Sequence, residues 1–154
     1  MTRGIYSVSH VNVGVTDLDR SVAFYRDVLG MHVTVDREED YPQYNLRQHA
    51  VYLRWDDTPG GSFLVLDRQL GREPFGTPAV LQQNGLNHVG FWVRDLDGIM
   101  ERVWAAGIEG VITDHAGPAY GDPAGGKVRS AMIRDPDGSF VQLDEWVELP
   151  PGPG

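Results

Sequence analysis

The sequence predicts an α+β fold of two tandem βαβββ modules whose sheets curve into a half-barrel cup. One observation is an internal repeat. His10-Val11-Asn12-Val13-Gly14-Val15-Thr16-Asp17-Leu18-Asp19 returns, part for part, as His88-Val89-Gly90-Phe91-Trp92-Val93-Arg94-Asp95-Leu96-Asp97, with the histidines and the Asp-Leu-Asp tripeptides each 78 residues apart. Such self-similarity marks one supersecondary unit used twice. The other is a switch of hydrophobic period within each copy, from two to 3.6 and back to two, as strand, helix and further strands require.

The first module starts with Val11, Val13 and Val15 alternating with His10, Asn12 and Gly14, so the valines share one strand face and His10 and Asn12 the other. Asp17 can cap the next segment, where Leu18, Val22, Tyr25 and Leu29 form a helical stripe that Gly30 ends. Residues 31–36, 50–55 and 62–67 read as strands, with Pro59-Gly60-Gly61 turning the chain before the last. The acidic run Glu38-Glu39-Asp40 reads as a solvated loop. In the second module Val89, Phe91 and Val93 oppose His88, Gly90 and Trp92, and Leu96, Met100 and Val103 stripe a helix ending near Gly107. Residues 108–113 form a short strand, and 127–134 and 140–147 a hairpin across Asp135-Pro136-Asp137-Gly138. The modules span residues 5–73 and 86–148 of a single domain, 1–149. Residues 74–85 link them, and the Pro/Gly tail 150–154 is expected to fray.

The chain has 154 residues, 41% hydrophobic and 23% charged, which is enough to bury a core. Its formal net charge of −9 argues against a nucleic-acid partner, since phosphate binding needs clustered Lys and Arg. It has no cysteine, which excludes disulfides, thiolate ligands and a cysteine nucleophile and fits a reducing compartment. No apolar run is long enough to span a bilayer and no secretory leader is evident. These features point to a cytoplasmic protein with no membrane contact.

If the valine face of each first strand lies under its helix, His10 and His88 point away from the helices into the cup. Two histidines at equivalent repeat positions suggest a shared metal site, and imidazole suits Zn, Fe, Ni and Mn alike. On the last strand Val141 and Leu143 take the helix side, so Phe140, Gln142 and Asp144 face the cup. In the first module Leu64 and Leu66 take the helix side, leaving Phe63, Val65 and Asp67 inward, with Val65 matching Gln142. Gln142 is therefore the expected third metal ligand, with Asp144 or Glu145 as substitutes, although alternation turns Glu145 to the helix side. His115 and Tyr120, read as part of a Gly/Pro-rich loop, are candidates for acid–base work. Asn12, Trp92, Phe63 and Phe140 face the cup as substrate contacts, and Arg54 could pair with an anionic group. His32 and His49 have no repeat partner and read as surface residues. Trp55 and Trp104 fit no internal stripe and are candidate contacts of a homodimer.

These motifs resemble the vicinal oxygen chelate superfamily, which includes glyoxalase I, methylmalonyl-CoA epimerase, extradiol ring-cleaving dioxygenases and bleomycin-resistance proteins. The resemblance rests on His10, the stretch Asp17-Leu-Asp-Arg-Ser-Val-Ala-Phe-Tyr-Arg-Asp-Val-Leu-Gly30, His88, and Arg134-Asp-Pro-Asp-Gly138 before a final strand, covering about residues 5 to 148. It implies metal ligands at His10, Val65 (or Leu64), His88 and Gln142, and Val65 cannot bind a metal. Two histidines without the first module's ligand resemble the dioxygenase arrangement, with Fe(II) or Mn(II) as the metal. That makes a metal-dependent, ring-cleaving, dioxygenase-like enzyme acting on a small oxygen-chelating substrate the first expectation. A glyoxalase- or epimerase-type lyase or isomerase using Zn or Ni is the second. A drug- or metabolite-binding protein with no metal is the reading from another class.

Overall fold

The computed structural model describes residues 4–118, 120 and 122–150; of the tail, all but Pro150 lies outside the described residues. The chain divides into two compact units, Met1–Thr77 and Pro78–Gly154. The first contains β1 (His10–Gly14), α1 (Leu18–Ala23), β2 (His32–Tyr41), β3 (Leu46–Arg54) and β4 (Phe63–Gln69). The second contains β5 (His88–Trp92), α2 (Leu96–Ala105), β6 (Ile112–Ala116), β7 (Lys127–Arg134) and β8 (Phe140–Glu148). Each unit is one four-stranded mixed sheet with a helix, as the βαβββ pattern predicts.

In the first unit the strand order is β1-β4-β3-β2, with β1 and β4 parallel and the other pairs antiparallel. Val51 and Leu53 of β3 and Leu64 and Leu66 of β4 are all at most 2% exposed and form the apolar side of the sheet. Each such side chain contributes about 1.5–3 kcal/mol by leaving water. Asp17 caps α1, its carboxylate accepting from the Arg20 amide at 3.0 Å. The buried stripe then differs from the expected one: Leu18, Ser21, Phe24 and Tyr25 are buried, while Val22 and Leu29 are only half-buried. The cause is a π-helical turn over Phe24–Val28, in which the Leu29 amide reaches back to the Phe24 carbonyl. That one extra residue rotates Leu29, downstream of it, away from the 3.6 phase, while within α1 the buried line runs through Ser21 rather than Val22. Gly30 ends the segment at φ +82°, as its position predicts.

The acidic run is not a loop. β2 continues through Glu38, Glu39 and Asp40 to Tyr41, paired with β3 along its length, and Glu39 is only 8% exposed. From Asp36 to Asp40 this edge strand is polar on both faces, which hides its second half from a search for alternating hydrophobicity.

The second unit repeats the order as β5-β8-β7-β6, with β5 and β8 parallel. Leu96, Ile99, Met100 and Val103 of α2 are at most 9% exposed, and Val141 and Leu143 of β8 at most 1%. The β7–β8 turn closes where expected: the Asp135 carboxylate accepts from the Asp137 and Ser139 amides, and Gly138 adopts φ +86°. β6 lies at 112–116 rather than 108–113, which places His115 on a strand and not in the loop. The short apolar stretch before it, Ile108 to Val111, carries no ladder of its own.

Candidate functional site

His10 and Asn12 of β1 lie opposite Phe63 and Val65 of β4, and Val65 opposite Tyr52 of β3. These side chains, with Glu39, Tyr41, Tyr44, Leu46 and Gln48, line a cavity of about 380 Å³ within the first unit. Its wall is aromatic: the His10 imidazole stacks on Phe63 at 5.1 Å between ring centres, and Tyr52 stacks on Phe63 from its side at 5.7 Å. Arg54 shares this face, its guanidinium 5.7 Å from the Phe63 ring centre and bonded to the Thr58 carbonyl at 3.0 Å.

Glu39 is the fixed anion of this wall, and sequence reasoning missed it. Its carboxylate accepts hydrogen bonds from Tyr52 Oη (2.8 Å), Arg37 Nε (2.9 Å), Tyr41 Oη (2.9 Å) and Gln48 Nε2 (3.1 Å). Burial alone would push its pKa up, but the bonds from Tyr52, Arg37, Tyr41 and Gln48 outweigh burial and lower it to about 2. Burial and this anion push the Tyr52 phenol up, and the Glu39 bond pushes up that of Tyr41. Both therefore stay protonated donors at neutral pH.

In the second unit β8 presents Gln142 beside Gly90 and Asp144 beside Trp92. Asp144 is 6% exposed and accepts from Ser130 Oγ at 2.7 Å and from the Gln142 amide at 3.0 and 3.2 Å. The Tyr120 hydroxyl lies 3.4 Å from the same amide nitrogen, and its ring is tilted against Trp92 at 5.7 Å. Burial raises the Tyr120 pKa, with the Asp144 charge adding to it. His115 bonds Thr113 Oγ1 at 3.0 Å and meets the Tyr120 ring edge-on at 5.9 Å. Trp92 stacks in parallel on Trp146, which sequence reasoning passed over, at 4.9 Å. Alternation from Gln142 would have placed Trp146 on this face. Phe140 is covered by the Arg134 guanidinium, 3.8 Å from its ring centre, so its ring face is taken by a cation. Glu145 turns to the helix side, as alternation predicts: it lies 3.4 Å from the Leu96 amide at the start of α2 and 3.5 Å from Arg129.

Two features fit a divalent metal. His10 Nδ1 is bonded to Ser9 Oγ at 3.0 Å and His88 Nδ1 to Asn87 Oδ1 at 2.6 Å, so each imidazole has its Nδ1 engaged by the preceding residue and its Nε2 available. A metal-binding histidine needs this orienting bond. Two features do not fit a four-ligand centre. Val65, 4% exposed, has no donor atom, and Gln142, its amide nitrogen bonded to Asp144, offers only a neutral carbonyl oxygen where a carboxylate would bind more strongly. Among the described residues no three His, Asp or Glu side chains are gathered closely enough to hold an ion.

The family model for the Glyoxalase/Bleomycin resistance protein/Dioxygenase superfamily matches residues 7–143. The chain belongs to that superfamily. Among relatives of the glyoxalase-superfamily protein, the lactoylglutathione lyase of Haemophilus influenzae is 31% identical over 140 residues, covering 90% of this chain and 91% of the relative. A probable lactoylglutathione lyase of Vibrio cholerae is 28% identical, covering 90% and 89%. Among solved structures, a glyoxalase/bleomycin resistance protein/dioxygenase domain from Frankia sp. EAN1pec superposes with a TM-score of 0.66 at 25% identity, covering 93% of this chain and 99% of that one. Among the described residues no helix is long and apolar enough to cross a membrane.

Proposed function

We propose that this glyoxalase-superfamily protein is a lyase or isomerase of glyoxalase type, cytoplasmic and homodimeric, acting on a small substrate with adjacent oxygens. The observation that carries the reading is the matched preparation of His10 and His88: equivalent strands, Nδ1 engaged, Nε2 presented. The names of the curated relatives weight it toward the lyase branch rather than ring-cleaving oxygenation. A divalent metal (Zn or Ni, otherwise Fe or Mn) would be held by His10, His88 and the Gln142 carbonyl oxygen, and when bound it supplies Lewis-acid polarisation of the substrate's oxygens. The chain's own residues do the rest. Phe63 and Trp92 offer aromatic surface to the organic part of the substrate, and the Asn12 amide offers hydrogen bonds to its oxygens. Tyr41 and Tyr52, protonated and held by Glu39, keep the wall beside His10 rigid. His115 and Tyr120 are the candidates to assist proton exchange with a bound oxygen.

A second reading, a metal-free binding protein, is favoured by Val65 and by the neutral Gln142 standing where a carboxylate would bind a metal more strongly. Elemental analysis of anaerobically purified protein separates the two. Close to one Zn, Ni, Fe or Mn per chain, lost in both His10→Ala and His88→Ala, supports the enzyme, which is then assayed for lactoylglutathione formation. Metal-free protein that stays metal-free after incubation with each ion sinks it. Light scattering at micromolar concentration tests the dimer, and a persistent species of one chain's mass removes Trp55 and Trp104 as its contacts.

A further inference from the structure

The repeat also pairs Asp67 with Asp144, and the two carboxylates live differently. Asp144 is flanked across the sheet by Trp92 and Ser130 and preceded on its own face by Gln142. Ser130 and Gln142 donate to it. At the three equivalent places around Asp67 stand Gly14, Ala50 and Val65. None of these side chains can donate a hydrogen bond, and Gly14 leaves open the space that Trp92 fills, with even an added Cβ meeting nothing closer than Asp67 Oδ1 at 3.9 Å.

The neighbouring cations are spent elsewhere. Arg37, across Ala50 from Asp67, gives its guanidinium to Glu39. Arg68 donates to the Thr16 carbonyl at 3.0 Å and Arg20 to Thr16 Oγ1 at 3.1 Å, so both guanidiniums end on Thr16, which lines the same cavity as Asp67, and not on Asp67. The only lysine in the chain is Lys127, in the other unit. A partly buried carboxylate stripped in this way is destabilised as an anion. Burial, with the Glu39 charge adding to it, raises the Asp67 pKa, and its own backbone amide lowers it only in part. The carboxylate lines a separate cavity of about 330 Å³, whose other walls are apolar or neutral: Val15, Leu46, Pro74, Phe75, Thr16 and Gln69. It also sits four residues along β4 from Phe63, the lateral partner of His10, or about 13 Å at 3.3 Å per residue.

We propose that this cavity is a binding site for a small organic ammonium, whose charged head pairs with Asp67 and whose apolar part lies against Leu46, Val15 and the ring of Phe75. An ammonium supplies the donors and the charge that Gly14, Ala50 and Val65 withhold, and the aromatic wall favours a cation over a neutral head. A hard inorganic cation would find one carboxylate where six or more oxygens are needed. The site shares only Leu46 with the lining of the His10 cavity and does not depend on the reaction proposed above.

The test is calorimetric titration of the full-length protein at neutral pH with 2-phenylethylammonium, and with 2-phenylethanol as its uncharged counterpart. Saturable 1:1 binding of the ammonium is expected, with the alcohol at least roughly tenfold weaker. Asp67→Asn should weaken the ammonium by a similar factor. Ala50→Ser, which restores the hydroxyl that Ser130 gives Asp144, should weaken it several-fold by occupying the carboxylate from within. If Asp67→Asn fails to fold, Ala50→Ser alone decides. Absence of binding, equal binding of the alcohol, unchanged affinity in the folded variants, or displacement by equimolar magnesium each overturns the proposal.

Discussion

Replacing Glu39 by Gln removes the one charge on which four donors of the first unit converge, and pH provides an independent way to remove the same charge. The carboxyl falls from its usual 4.5 to about 2 on folding. At 1.36 kcal/mol per tenfold change in proton affinity, that is a contribution of about 3 kcal/mol. Arg37, one of the donors, is 60% exposed, so water screens part of its share, and about 2 kcal/mol is the expected net value. Because the folded pKa lies below the unfolded one, this stability is fully present above about pH 4.5. It is lost as pH falls toward 2, more than half of it by pH 3. The assay is urea denaturation followed by circular dichroism at pH 7 and at pH 3, for the parent chain and Glu39→Gln. At pH 7 the variant should be less stable by about 2 kcal/mol, and at pH 3 the gap should shrink by more than half. Comparing the two chains cancels the other carboxylates that titrate in the same range. Parallel losses of stability in both chains between pH 7 and pH 3 would refute the reasoning, since Glu39 would then not be held as an anion.

Gln142→Glu sets a second carboxylate about 3 Å from buried Asp144, so it should lower the melting temperature without added metal; if the site takes a divalent ion, thermal scans with and without Zn should show the ion restoring more than the loss. Leu64→Ala, at a fully buried β4 position, should cost about 2–5 kcal/mol in urea denaturation by opening a cavity. Arg129→Ala frees Asp97, which its guanidinium grips with bonds of 2.6 and 2.7 Å at the start of α2; a modest fall of a few degrees in melting temperature is expected, abolished in high salt if the contribution is electrostatic. Trp146→Ala removes the partner of Trp92 and should shift tryptophan emission to the red with little change in far-ultraviolet circular dichroism.

The repeat made the architecture legible, because a duplicated strand–turn–helix with matched caps leaves few alternatives. Period-two alternation also oriented β8 correctly, sending Gln142 and Asp144 to one face and Glu145 to the other. The sequence was opaque where side chains stop reporting burial. From Asp36 to Asp40 β2 is polar on both faces, so a buried Glu39 looks the same as a solvated one until Tyr41, Tyr52 and Gln48 are brought to it from two strands. The π-helical turn was equally invisible, since a single inserted residue leaves composition and spacing helical while rotating Leu29 off the buried stripe. Trp146 was readable from the same alternation that placed Gln142 and was simply passed over beside the acidic pair.

The parallel pairing of β1 with β4 and of β5 with β8 has a consequence for how the chain is made. In neither sheet can the first strand be hydrogen-bonded until the last strand of its unit has been synthesised, so closure of each sheet is a late, long-range event. Yet every ladder of the first sheet lies between His10 and Gln69, extended only by the bond from the Leu70 amide to the Arg47 carbonyl. A nascent chain leaving the ribosome can therefore complete its first sheet while the second is still being translated. The order of assembly is built into the duplication itself, and a stall placed after Gln69 has cleared the exit tunnel but before β8 is made should leave a ribosome-bound intermediate whose first sheet already resists protease.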